Sequence, residues 1–261
     1  MVGGCCTRMQ DAALPDTIEI LRPDGVRLAA RRQPGDGPAI LFLHGLMSTM
    51  QGEKAAHLAG HARAHGREFL RYDASGHGDS GGRFADGTIG VWLDDALLAC
   101  GQVRSERIVV VGSSIGGWIA LLLALAHPDR IAGLVLVAPA PDMTRRVAAR
   151  LPPEARQALD RDGVWQRPSR YGEPIPITRR MLEDGERHCL LHEPIGIRCP
   201  VRILHGQRDD DVPWQDSLQL AGRLAADDVQ LTLVKDGDHR LSRRNDLALM
   251  TAALDALCQP A

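Results

Sequence analysis

Arg107-Ile108-Val109-Val110-Val111-Gly112-Ser113-Ser114-Ile115-Gly116, continued by Gly117-Trp118-Ile119-Ala120-Leu121-Leu122-Leu123-Ala124-Leu125-Ala126, decides the fold. The β-branched run reads as a strand buried on both faces, and the Ala- and Leu-rich run as a helix. A chain that turns from strand to helix within about one residue forces the corner residue into a left-handed conformation. The positions two before and two after must then be almost free of side chain. Gly112 and Gly116 meet that requirement and lift the Ser114 hydroxyl out at the C-terminal edge of a sheet. The pentapeptide alone is also compatible with a Gly-rich turn that merely packs a helix close to a strand; the rest of the chain decides against that.

A serine hydroxyl is a weak nucleophile at neutral pH and needs a base within hydrogen-bond reach, with a third group to orient the base. Val201-Arg202-Ile203-Leu204-His205-Gly206 reads as a strand ending in glycine, and Gln207-Arg208-Asp209-Asp210-Asp211-Val212-Pro213 follows it. Val229-Gln230-Leu231-Thr232-Leu233-Val234 alternates as a strand and leads into Lys235-Asp236-Gly237-Asp238-His239. Both segments place an acid or a histidine just past a strand end, where a parallel sheet collects its functional groups. The spacing Gly206-x-x-Asp209-x-x-Val212-Pro213 selects Asp209 as the acid, with Asp210 the next candidate and Pro213 opening a helix. His239 is the base.

Acyl transfer also needs two N–H donors aimed at the developing oxyanion. The backbone N–H of Ile115 supplies one. The second is expected after the apolar strand Ala39-Ile40-Leu41-Phe42-Leu43, from Leu46 with Met47 next, while His44 hydrogen-bonds the turn. Met47, Trp118 and Trp165 are candidate substrate contacts. Tyr72-Asp73-Ala74-Ser75-Gly76-His77-Gly78-Asp79-Ser80 lacks the Gly-Lys-Ser/Thr ending of a phosphate loop and reads as a tight loop beside the site. His57, His61 and His65 recur on one helix face, which reads as solvated. His188, Cys189, His192 and Cys199 have ligand-like spacing but are interrupted by Pro194 and lack a second Cys-x-x-Cys. Neither a metal nor a cofactor is expected.

A chain of 261 residues with 44% hydrophobic residues suffices for one large α/β domain. A net charge of −2 gives no reason to expect nucleic-acid partners, and no apolar run approaches the roughly 20 residues needed to span a membrane. Met1-Val2-Gly3-Gly4-Cys5-Cys6 carries no signal-like apolar stretch, so a cytoplasmic protein with six reduced cysteines is expected. Along the chain, a hairpin over 17–33 around Pro23-Asp24-Gly25 precedes strand 39–43, helix 51–65, strand 68–72, helix 88–103, strand 107–111, helix 116–126 and strand 131–138. This alternation predicts a doubly wound, mostly parallel sheet. Residues 143–197 break the pattern: Arg- and Pro-rich, with helical fragments and no clean strand. They read as a lid inserted between the core segments 1–142 and 198–261. Arg145, Arg146, Arg170, Arg179 and Arg180 could meet a carboxylate-bearing substrate, although a solvated lid surface accounts for them equally.

Gly163-Val164-Trp165 with Pro168-Ser169-Arg170-Tyr171, Arg187-His188-Cys189-Leu190-Leu191-His192-Glu193-Pro194-Ile195, the acid turn, Gly112 to Trp118 and Asp238-His239-Arg240 together resemble the mitochondrial palmitoyl-protein thioesterases of the α/β-hydrolase family, which also cleave acyl glucuronides. The resemblance runs from about residue 38 onward; the insertion motifs are its specific part. It implies an α/β-hydrolase fold with a helical lid after the sixth strand, a Ser114–His239–Asp209 triad, and hydrolysis of thioesters or esters of small-molecule or acyl-protein substrates. Two departures stand out. His44 replaces a proline of that family, and no transit peptide precedes the core, as in a bacterial-type relative. A short-chain carboxylesterase or a carbon–carbon bond hydrolase would use the same three residues.

Overall fold

Pro23-Asp24-Gly25 reverses the chain as its residues require. Gly25 sits at φ +84°, and β1 (Asp16–Leu21) pairs antiparallel with β2 (Arg27–Gln33). The computed structural model describes residues 16–169 and 172–258. From β3 (Asp36–Leu43) the chain continues through α1 (Glu53–Ala64), β4 (Arg67–Tyr72), α2 (Ile89–Gly101), β5 (Ile108–Ser113), α3 (Ile115–Ala126) and β6 (Ile131–Val137). After an insertion it closes with β9 (Val201–Gly206), α7 (Trp214–Arg223), β10 (Val229–Val234) and α8 (Arg244–Leu257).

These strands form one eight-stranded sheet in the order β1-β2-β4-β3-β5-β6-β9-β10, parallel from β4 to β10. The expected doubly wound architecture is what forms. Burial on both faces explains why β5 is apolar at every step rather than alternating. Val109 and Val111 face a layer with Ala55 and Leu58 of α1 and Leu254 of α8, while Ile108 and Val110 face Ala96 of α2 and Leu121 of α3. The chain leaves β3 for β4 on one side and returns to β5 on the other, so a crevice opens at the C-terminal ends of β3 and β5.

The insertion holds α4 (Met143–Ala149), α5 (Pro153–Asp162), β7 (Val164–Arg167), β8 (Ile175–Thr178) and α6 (Arg179–Glu186). The expectation of no strand there is corrected: β7 and β8 pair antiparallel as a separate two-stranded sheet. Each has four residues, too few to show alternation, and β8 carries Pro176, which is tolerated in a two-stranded sheet because one side of each strand stays unpaired. Arg170 and Tyr171, and the N-terminal stretch with Cys5 and Cys6, lie outside the described residues.

Close backbone approach fixes the corner between β5 and α3. A Cβ on Gly112 would lie 2.4 Å from the Gly116 carbonyl oxygen, and one on Gly116 would lie 2.3 Å from that of Leu43. Because both obstacles are backbone, neither can rotate away. Gly116→Ala is therefore expected to destabilise the protein by about 3 kcal/mol or more. In thermal unfolding this is a fall in Tm of about 6–12 °C. An unchanged Tm would mean that β3 and α3 are not in this contact.

Candidate active site

Ser114 occupies the corner with φ 55° and ψ −119°, a conformation disfavoured for a residue with a side chain. Three backbone hydrogen bonds hold it there. Its N–H donates to Val137 O (2.9 Å), and its carbonyl accepts from Gly117 (2.9 Å) and Ala140 (3.0 Å). The hydroxyl opens onto a cavity of about 410 Å³ whose walls include Leu46, Met47, Lys54, Ile175, His239 and Arg240.

Gly206 lets the loops after β9 and β10 touch, since a Cβ there would lie 2.3 Å from the Gly237 carbonyl oxygen; the Arg208 N–H donates to that same oxygen at 2.8 Å. The contact brings Asp209 and His239 together. His239 Nδ1 lies 2.7 Å from Asp209 Oδ2 and its Nε2 lies 3.0 Å from Ser114 Oγ. A carboxylate can only accept, so Nδ1 carries the proton and Nε2 is left to accept from the serine hydroxyl. Of the consecutive aspartates, Asp209 is the one that reaches His239. The Asp209 side chain is fully buried. Burial pushes its carboxyl up, but hydrogen bonds from His205, His239 and the Val212 N–H outweigh this and hold it well below the usual carboxylate range.

His205 is the residue that sequence reasoning passed over. Its Nε2 lies 3.1 Å from Asp209 Oδ2 and 3.1 Å from Val212 O, and its Nδ1 lies 2.7 Å from Ser217 Oγ. Two acceptors at Nε2 place the proton there, so the ring donates to the same Asp209 oxygen as His239 and helps to orient the carboxylate. The signal was present: a histidine near the end of a mostly apolar strand, four residues before the acid.

After β3, Gly45 to Ser48 form a turn closed by Ser48 N–H to Gly45 O (3.1 Å), with Met47 at φ 55°. His44 holds this turn from inside. Its Nδ1 lies 2.8 Å from Gly45 O, and its Nε2 accepts the Ala74 N–H at 3.0 Å. Leu46 and Met47 line the cavity. Ile115 opens α3, where helix geometry leaves its N–H without an intrahelical acceptor. Trp118 requires correction as a substrate contact: it is fully buried, its indole N–H donates to His188 O at 3.1 Å, and it does not line the cavity. Trp165 packs against the core and likewise lies outside the cavity wall. The helix face expected to be solvated is partly engaged, with His61 Nε2 2.8 Å from Asp255 Oδ1. Cys189 is buried, and burial pushes its thiol up to about 12.

His44 and His77 lie 4.9 Å apart beneath the turn. Burial pushes each imidazole down to about 4 from 6.5, and at His77 the neighbouring His44 adds to this. Between these values the unfolded chain binds protons that the folded chain does not, so stability falls as pH drops from about 6.5 towards 4. The slope is about 1.4 kcal/mol per pH unit for each ring. Urea unfolding between pH 7 and 5 should show this loss, and His77→Gln should flatten it by about half; an identical slope in the variant would contradict the assignment.

Residues 37–183 match the model of the serine aminopeptidase S33 hydrolase family. The mitochondrial palmitoyl-protein thioesterase ABHD10 of Bos taurus is 38% identical over 238 residues, covering 90% of this chain and 78% of that protein; the Homo sapiens protein is 37% identical over the same shares. Among solved structures, a hydrolase from Agrobacterium vitis S4 superposes with a TM-score of 0.89 at 40% identity, covering 94% of this chain and 99% of that one. Mouse α/β-hydrolase domain-containing protein 10 gives 0.86 at 38% identity, with 93% and 98% covered. The chain belongs to the serine aminopeptidase S33 family and is an α/β hydrolase.

Proposed function

We propose that the protein is a serine hydrolase that cleaves carboxylic esters or thioesters through an acyl-enzyme, with acyl-protein or acyl-CoA-like thioesters or acyl glucuronides as its substrates. The observation that carries this reading is the continuous hydrogen-bonded series Ser114 Oγ, His239, Asp209 at the wall of an open cavity. The likeness to proteins named palmitoyl-protein thioesterase supports the thioester. In this mechanism His239 Nε2 takes the hydroxyl proton as Ser114 Oγ attacks the acyl carbon. The imidazolium so formed is stabilised by Asp209, and the N–H groups of Ile115 and Leu46 receive the oxyanion. The proton passes to the leaving oxygen or sulfur, and water activated by His239 then releases the acid. Residues 143–197 act as the lid: Ser169, Glu173 and Ile175 line the cavity that contains Ser114.

Turnover of p-nitrophenyl esters and acyl-CoA thioesters from two to sixteen carbons tests this. Ser114→Ala is expected to lower kcat by about 10⁶ and to abolish labelling by a fluorophosphonate, and Asp209→Asn to lower kcat by about 10⁴. Burying a methylene contributes about 0.8 kcal/mol, so kcat/KM rises severalfold per carbon only as far as apolar wall is available. A rise up to sixteen carbons supports a long-chain thioesterase, and a peak at short chains supports a carboxylesterase. Full activity in Ser114→Ala would sink the reading.

A further inference from the structure

Lys54, the second residue of α1, is partly buried and lines the cavity shared by Ser114 and His239. Its ammonium donates to the carbonyl of Arg240, the residue after His239, and lies 3.5 Å from Ser242 Oγ. Two of its three N–H groups are thus committed, which fixes a side chain that is otherwise flexible. No carboxylate among the described residues lies within 4.0 Å of it. The acids nearby are engaged elsewhere. Glu53 is 3.7 Å from Arg240, Asp238 accepts the N–H groups of Arg240 and Leu241, and Asp246 is bound by Arg243. Glu173, also on the cavity wall, is exposed. Burial, with the Arg240 charge beside it, pushes the Lys54 ammonium down to about 8 although the charges of Asp238, Glu53 and Asp246 act the other way, so it remains mostly charged at pH 7. A desolvated cation with a fixed orientation and no carboxylate in contact lowers its free energy by taking up an anion.

We propose that Lys54 is an anion subsite of the reactive cavity, binding a carboxylate or phosphate carried by the ester substrate on its acyl part or on its leaving group. This rests on the hydrolase reading above for the identity of the cavity, and adds that the preferred esters are negatively charged at a point away from the reacting carbonyl.

Two matched pairs separate the sources of the anion. One is mono-4-nitrophenyl glutarate against its methyl ester, with the charge on the acyl part; the other is 3-acetoxybenzoate against its methyl ester, with the charge on the leaving group. The kcat/KM ratio of charged to neutral substrate is expected to fall about tenfold to a hundredfold in Lys54→Met in at least one pair, mainly through KM, and to be largely kept in Lys54→Arg. The pair that responds identifies which half carries the charge. Equal losses on charged and neutral members of both pairs would reduce Lys54 to a tether of the His239 loop and overturn the proposal. Calorimetry of the Ser114→Ala protein, with Lys54 intact, covers the case in which the Lys54 variants do not fold. There, monomethyl glutarate or 3-hydroxybenzoate should bind more tightly than the corresponding dimethyl glutarate or methyl 3-hydroxybenzoate, and equal or absent binding of both overturns the proposal. If wild type hydrolyses none of the esters, the hydrolase reading fails, while the calorimetry still decides anion binding.

Discussion

The contact between α3 and the end of β3 constrains everything around it. With a Cβ on Gly116 excluded by the Leu43 and His44 carbonyl oxygens, the helix can lie against the strand end only if that residue is glycine. The contact sets three things at once. It holds Ser114 at its positive φ, it puts the first N–H of α3 at the sheet edge, and it brings the turn after β3 alongside, where a Cβ on Gly45 would lie 3.2 Å from that of Ser114. A strained residue persists only where its surroundings leave no alternative. The hydrogen bond from Ser114 to Val137 and those from Gly117 and Ala140 to its carbonyl remove the alternatives.

A second constraint concerns a charge. Asp209 has no solvent, and an isolated buried carboxylate is costly. Its oxygens are satisfied by His239 and His205 on Oδ2 and by the Asp211 and Val212 N–H groups on Oδ1. Donors from a strand, its own loop and the loop after β10 all converge on it, so the carboxylate ties together the two loops that Gly206 allows to meet. The same dependence fixes the His239 tautomer and therefore which nitrogen faces Ser114.

What the sequence disclosed follows from the range of the forces involved. Turn chemistry at Gly25, apolar runs in β3, β5 and β6, and the glycines around Ser114 are local, and each appeared where its residues required. Ser114, Asp209 and His239 could be placed because each follows a strand end that its own neighbours define. Trp118 could not. An aromatic residue just past a glycine pair gives no indication of which side of the helix meets the core, and its burial depends on His188, 70 residues later. Lys54 and His205 were missed for a related reason: a lysine in a first helical turn and a histidine in a strand acquire meaning only from partners far away, Arg240 for one and Ser217 with Asp209 for the other. The strands β7 and β8 pair with each other alone, so no alternation is imposed on them.

Buried polar contacts attach the insertion to the core. Asp142, at φ 56°, accepts the N–H groups of Leu190 and Leu191, Asp184 accepts that of Gly90, Trp118 donates to His188, and Arg146 pairs with Asp216. These contacts secure the two ends of the segment through partly or fully buried polar groups, where a lost partner costs most. The middle, by contrast, meets the acid loop through the long ion pair of Arg167 with Asp211 at 3.8 Å, and contributes Ser169, Glu173 and Ile175 to the cavity wall. Substitutions at Glu173 or Ile175 therefore leave these anchors intact. That separation is what allows one framework to carry walls of different chemistry.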